Sequence, residues 1–190
     1  GGKNKLKERN PKWLNNDYVK FIRLSQDYID KNGEGIIGFI NPHGYLDNPT
    51  FRGMRWNLLK TFDKIYTIDL HGNSKKKETC PDGSKDENVF DIMQGVSINL
   101  FVKTGKKPKE ELGKVYHHDL YGLRQNKYDF LDTATIDSVG YEEISPKAPM
   151  YFFVPKDFGL EKEYINGFSV VNLFSLTNVG VFTANDKILI

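Results

Sequence analysis

A single cysteine, Cys80, excludes an internal disulfide, and no second Cys or His stands at metal-ligand spacing from it, a usage that fits a reducing compartment. Cytoplasm is the expected location. No apolar run approaches the roughly 18 to 20 residues of a membrane span, and the polar, basic start GGKNKLKERNPK leads into no apolar signal segment. No membrane partner is expected. The charge excess is also slight: 27 Lys and Arg against 25 Asp and Glu leave a net +2, too little by itself to imply nucleic-acid binding. Internal repeats and low-complexity tracts are missing. What the chain does have is 38% apolar and 13% aromatic residues over 190 positions, enough for a core and for one domain or one and a half. The leading Gly1-Gly2 pair reads as a cloning remnant on a piece of something longer.

Tyr18, Phe21, Ile22, Ser25, Tyr28 and Ile29 recur at steps of three and four, which predicts a helix from about Asn16 to Lys31, capped by Asn16 or Asp17 and ended by KNGEG. IIGFI (Ile36 to Ile40) is a continuous apolar run between glycines and Asn41-Pro42, the pattern of a strand covered on both faces. Thr50 is placed to cap a second helix bearing Phe51, Met54, Leu58, Leu59 and Phe62, and KIYTIDL (Lys64 to Leu70) follows as a strand. From His71 to Asn88 the chain is polar and turn-rich, so a long exposed loop is expected before a third strand, Gly95 to Lys103. After KTGKKPKEE, a plausible linker, come short strand-like runs, KVYHHDL, YFFVP and NVGVFTA, with NKYDFLD as a short helix. These features predict an α/β region over 1–105 and a mixed, strand-rich region over 106–190.

INPHGY, around Asn41, approaches the Asn-Pro-Pro-Tyr tetrapeptide with which amino-methyltransferases grip an exocyclic amine, but glycine cannot stack on a base and Tyr45 comes one position late. A strand-to-loop turn is the simpler reading. On a strand, His117 and His118 point to opposite faces and cannot easily share a metal, and no metal ligand is assigned. Asp69 ends a strand, where open α/β sheets bind ligands, although a turn aspartate explains it equally. Arg52 and Arg55 could share a basic helical face or pair with Asp47 or Asp63.

The ordered set YVKFIR, GEGIIGFI, GYLDNPTFRGMR, IYTIDLHGNSKKKE, PDGSKDENVFDIMQGVSINLFVK and TNVGVFTA resembles the γ-type adenine-specific DNA methyltransferase region of bacterial restriction-modification enzymes, including the type ISP and type IIG proteins. The resemblance runs along essentially the whole chain. It implies the carboxyl half of a Rossmann-like methyltransferase sheet, three strands with helices, then the start of a target-recognition region. The family's catalytic Asn-Pro-Pro-Tyr/Phe would precede the YVKFIR helix, and the Gly-rich cofactor loop has no counterpart here. No catalytic residue is therefore assigned. S-adenosylmethionine is implied for the intact enzyme and no cofactor for this chain alone. The implied partners are double-stranded DNA and the amino-terminal half of the methyltransferase domain.

The resemblance further implies that Gly95 to Lys103 runs antiparallel between the strands at Ile36 and Ile65, that Phe101 lines the pocket for an extruded adenine, and that Gly35 to Asn41 is an edge covered by a loop or a second copy. Phe101 reads equally well as core. Lys75, Lys76 and Lys77 are candidate DNA-phosphate contacts; a solvated lysine loop is the plainer reading. Two alternatives stay open: a non-catalytic DNA-recognition or interaction module, and a small self-contained enzyme using Asn41, His43 and Asp69.

Overall fold

The computed structural model describes residue Glu8 and residues 11–168. Helix α1 (Asp17–Asn32) starts where expected, with the Asn16 side chain accepting from the Tyr18 N–H at 2.9 Å, and stops at Gly33, whose φ of 89° suits glycine. Its inward face carries Ile22 and the buried Gln26. The Gln26 amide donates to Asn57 Oδ1 at 2.8 Å and Thr61 Oγ1 at 2.5 Å, which couples α1 to α2 (Arg52–Thr61). The start of α2 differs from expectation. Asn48, not Thr50, is the capping side chain: it accepts from the Thr50 N–H at 3.0 Å and opens a short 3-10 turn, Pro49–Phe51, that feeds the helix. Pro49 fits this first turn because its missing N–H would have had no partner there.

Five strands, β1 (Gly35–Pro42), β2 (Lys64–Asp69), β3 (Val96–Lys103), β4 (Lys114–Asp119) and β5 (Glu142–Ile144), form one sheet in the order β1-β3-β2-β4-β5. As expected, β3 is antiparallel to both neighbours, with Ile37 and Ile65 flanking Phe101. The link from β2 to β3 contains no α-helix of the kind that usually carries a parallel crossover, in keeping with the antiparallel return of β3. β4 then pairs in parallel with β2, and β5 antiparallel with β4. The sheet therefore continues past Lys106, and the chain divides into compact units at 1–155 and 156–190 rather than near Lys106. The segment expected to be a linker connects two strands of one sheet. Within the second unit the described residues form one short helix, α4 (Glu161–Asn166).

On one face Ile37, Phe101, Ile65 and Val115 lie side by side across four strands and pack with Ile22, Leu58, Leu59 and Phe62. The opposite face is half covered. Helix α3 (Arg124–Thr133), the expected NKYDFLD helix, sets Phe130 and Leu131 against Ile68, Leu70 and Val96. Over β1, however, Ile36 remains 68% exposed and Ile40 46% exposed, contrary to the expectation of burial on both faces. Among the described residues β1 pairs only with β3, so its outer edge is free.

YFFVP forms no strand: Phe153 is fully buried, with its N–H donating to Leu46 O at 2.9 Å. The run NVGVFTA lies outside the described residues. No helix among the described residues is long and apolar enough to cross a membrane.

Candidate functional site

β1, β2 and β4 all point the same way, and the residues at their carboxyl ends converge. His43 follows β1, Asp69 ends β2 and Asp119 ends β4. His43 Nδ1 lies 2.8 Å from Asp69 Oδ1 and 3.1 Å from Oδ2, both residues being buried. Asp69 Oδ1 also accepts from the His71 N–H at 2.9 Å, so the expected turn aspartate is present and holds a histidine as well. Gly95 makes this fit possible: a Cβ there would come within 2.5 Å of the His43 ring.

His71 sits at φ 50°, a left-handed conformation uncommon for a non-glycine residue. That backbone turns its ring into a carboxylate clamp, with Nδ1 2.9 Å from Glu78 Oε1 and Nε2 2.8 Å from Asp119 Oδ1. Both nitrogens face acceptors, so the ring is a doubly protonated imidazolium. Burial opposes that charge, but the hydrogen bonds to Asp119 and Glu78 outweigh it and raise the His71 pKa to about 9. Burial works against both carboxylates, but His71 and the Asn73 N–H lower Glu78 to about 2, and His117 with His71 holds Asp119 well below the usual carboxylate range. Tyr121 stacks on His71 with ring centres 3.8 Å apart. His117 completes the rim, one nitrogen 3.0 Å from Asp119 and the other 2.9 Å from Thr67 Oγ1.

The ring and carboxylate groups named above, apart from His117, which lies behind Asp119, line a pocket of about 240 Å³ with Leu46, Asp47, Lys76, Val154 and Pro155. Four carboxylate residues, Asp47, Asp69, Glu78 and Asp119, line it, so the site can bind cations and hold protons on imidazole nitrogens. Two sets offer ligand atoms within 4.8 Å of one another: His43, His71 and Glu78, and Asp69, His71 and Asp119.

The residues singled out from the sequence divide between this site and other places. His43 and Asp69 meet, as the self-contained-enzyme alternative requires, but Asn41 belongs to a separate buried network. Asn41 Oδ1 accepts from Asn99 Nδ2 at 2.7 Å, and Asn99 Oδ1 accepts from the Tyr45 hydroxyl at 2.7 Å. Phe101 is fully buried against Phe62 and presents no face to a ligand; it is core, because its strand position points beneath α1 and α2. Lys75, Lys76 and Lys77 are exposed, and of the three Lys76 reaches the pocket.

The segment from His71 to Asn88 is polar yet not simply exposed. Gly72, Cys80 and Asn88 are buried, and Asp86 accepts from the Gly72 and Gly122 N–H groups. Arg52 pairs with Glu8 at 2.8 Å, whereas Arg55 is buried and donates to the carbonyls of Tyr45, Asn48 and Met150, so the two share no exposed basic face. As the strand alternation required, His117 and His118 diverge, His118 stacking on Phe130. His71, Glu78 and Asp119 went unassigned in the sequence. Their signal was position: the rule that ligands gather at carboxyl ends of parallel strands applies to Asp119 as fully as to Asp69.

A sheet whose antiparallel strand is inserted between two parallel ones, with a polar cluster at the parallel strands' carboxyl ends, defines an α/β fold consistent with part of a Rossmann-like domain. Solved structures agree on the class. The chain is similar to the type ISP restriction-modification enzyme LlaBIII bound to DNA, at 26% identity and TM-score 0.69, over 82% of this chain and 10% of that one. It is similar to DrdV in a DNA complex solved by cryo-electron microscopy, at 27% identity and TM-score 0.60, over 71% of this chain and 13% of that one. A nuclease-deletion mutant of the type ISP enzyme LlaGI, in complex with a DNA substrate mimic, shares the fold at 24% identity and TM-score 0.68, over 84% of this chain and 12% of that one. The chain thus spans about a tenth of the length of these neighbours. No protein-family model and no curated protein matches it.

Proposed function

We propose that the chain is the carboxyl half of the S-adenosylmethionine-dependent, adenine-specific DNA methyltransferase module of a restriction-modification enzyme acting in the cytoplasm, with the lead into target recognition. The observation that carries this reading is the β1-β3-β2 arrangement, in which an antiparallel strand sits between two parallel ones and, among the described residues, an apolar strand edge is left open beside it. Similarity to a type ISP restriction-modification enzyme and to DrdV, both solved with DNA, supports the same reading. The amino-terminal half of the domain would pair with β1 and cover Ile36 and Ile40; in its absence a second copy is the natural occupant of that edge. DNA would lie across the carboxyl ends of the parallel strands, with Lys75, Lys76 and Lys77 on its phosphates.

Methyl transfer then depends on a Gly-rich cofactor loop and an Asn-Pro-Pro-Tyr/Phe motif encoded upstream. The test is to extend the reading frame and assay the parent protein for transfer of a labelled methyl group to adenine N6. An upstream frame without both motifs, or a parent that leaves adenine unmodified, overturns the proposal. Calorimetric titration of the 190-residue chain with S-adenosylmethionine should show no binding; micromolar binding would locate a cofactor site within these residues instead. The His43–Asp69 pair on a pocket favours one second reading, a self-contained hydrolytic or proton-transfer site, which that chain would reveal by activity abolished in His43→Ala.

A further inference from the structure

The pocket cluster carries an arrangement that methyl transfer does not use. His43 hydrogen-bonds through Nδ1 to Asp69 at 2.8 Å, which leaves Nε2 directed inward, 3.3 Å from the Asn73 side-chain nitrogen. His71 hydrogen-bonds through Nε2 to Asp119 at 2.8 Å, and its Nδ1 lies 2.9 Å from Glu78 Oε1. Each imidazole therefore has a carboxylate behind it, and the other nitrogen faces Glu78 in His71 and the Asn73 side chain in His43. Histidine ligands of metal ions are held in this way, the outer carboxylate fixing the tautomer and raising the basicity of the ligating nitrogen.

We propose that His43 Nε2, His71 Nδ1 and a Glu78 carboxylate oxygen form a binding site for one divalent cation of the zinc type, with Asp69 and Asp119 as its outer carboxylates. One ligand atom from each of the three residues already lies within 4.8 Å of the other two, and those around a tetrahedral zinc stand roughly 3.3 Å apart. Insertion of an ion between His71 Nδ1 and Glu78 Oε1 thus asks for a few tenths of an ångström. The alternative set, Asp69, His71 and Asp119, fits less well, because Asp69 is engaged by the His71 N–H and His43, and Asp119 by His117.

Charge favours a cation here: Asp47, Asp69, Glu78 and Asp119 all line the pocket, and an ion bound at this set replaces the proton shared between His71 Nδ1 and Glu78. Two nitrogens and one oxygen suit zinc-like ions better than the all-oxygen shells of calcium or magnesium. Three protein ligands leave a fourth position open to the pocket. The ion would pin the 71–88 segment to the ends of β1 and β2. This inference rests on the chain's own geometry and stands or falls apart from the methyltransferase reading.

The test is calorimetric titration of the chelator-treated 190-residue chain with zinc alone, with circular dichroism as the check on folding. The expected result is one zinc per chain with submicromolar Kd, a loss of affinity of at least 100-fold in Glu78→Gln and His43→Ala, about 10- to 100-fold in Asp119→Asn, and no change in Cys80→Ser. Glu78 lies on a loop, so Glu78→Gln keeps the test decisive should His43→Ala fail to fold. No saturable binding by the parent chain, unchanged affinity in folded Glu78→Gln, or binding lost with Cys80 overturns the proposal.

Discussion

Lys127 is the least conventional residue of the core, and its replacement by methionine makes a quantitative test. The Lys127 and Asp86 side chains are both 0% exposed, with Nζ 2.7 Å from Asp86 Oδ1. The same ammonium donates to Leu70 O at 2.7 Å and Glu87 O at 2.6 Å, so all three of its protons are used. Through it α3 is tied to the end of β2 and to the segment before β3. Lys127→Met keeps the aliphatic volume and removes the charge. Asp86 would retain its bonds from the Gly72 and Gly122 N–H groups, at 2.6 and 2.8 Å, but as an uncompensated buried carboxylate, and two carbonyls would lose their donor. Breaking a buried pair from one side costs about 3–5 kcal/mol, against about 0–1 kcal/mol for an exposed pair. With a urea m-value of roughly 2 kcal/mol/M, the midpoint should fall by roughly 1.5 to 2.5 M. The double variant Lys127→Met, Asp86→Asn should recover part of that loss, because no charge is then left buried. A single-variant cost below about 1 kcal/mol, or a double variant no better than the single, would refute the reasoning.

Phe101→Ala should cost about 3–5 kcal/mol of stability in urea unfolding, the range for a large aromatic removed from a packed core; a variant of parental stability that had lost only DNA binding would return Phe101 to a base pocket. Gly95→Ala should destabilise by about 1–3 kcal/mol, since its Cβ meets the His43 ring at 2.5 Å and the His71 carbonyl at 2.9 Å; a neutral effect on the thermal midpoint would mean that the ring yields freely. Changing Lys75, Lys76 and Lys77 together to alanine should leave stability within about 0.5 kcal/mol. In the parent protein that the methyltransferase proposal entails, the same change should flatten the salt dependence of DNA affinity by up to roughly 3 in log–log slope. An unchanged slope marks the loop as solvated surface.

The parts legible in the sequence were those fixed by local periodicity. The Asn16 cap and the extents of α1 and the strands follow from spacing, although Tyr18, Phe21 and Tyr28 of the α1 stripe stay exposed; the antiparallel course of β3 came from the family resemblance, with which the polar, helix-free link before Gly95 agrees. Where tertiary placement overrules local character, the reading ran short. Lysine is ordinarily a surface residue, and nothing near Lys127 announces that Leu70, Asp86 and Glu87 will surround its ammonium. Phe101 carries the same letters whether it faces a pocket or α2; only the register that sets it between Ile37 and Ile65 decides. The boundary expected near Lys106 rested on lysines, glycine and proline, which mark a turn as well as a linker, and β4 follows that turn into the same sheet. His43, Asp69, His71, Glu78 and Asp119 come from four segments, so no spacing rule joins them.

The two ends of this architecture are prepared for different things. At the carboxyl ends of β1, β2 and β4, charged groups are spent on holding backbone. Arg55 takes the carbonyls of Tyr45, Asn48 and Met150, Lys127 takes those of Leu70 and Glu87, and Asp69 and Asp86 take N–H groups of the following turns. Among the described residues no buried side-chain nitrogen or oxygen lacks a partner. A fully satisfied polar network in a low-dielectric setting is rigid, because each bond strengthens its neighbours and any departure leaves a group unpaired. The pocket is therefore set before any ligand arrives, which favours binding by lowering the ordering cost. Beside β1 the situation is the reverse: Ile36, Ile40, Phe21 and Tyr28 are exposed, and among the described residues nothing pairs with the strand's outer edge. Apolar area of that kind gains only when covered. A partner at β1 would thus add stability without having to shape the pocket, since the hydrogen bonds that define the pocket are already made within this chain.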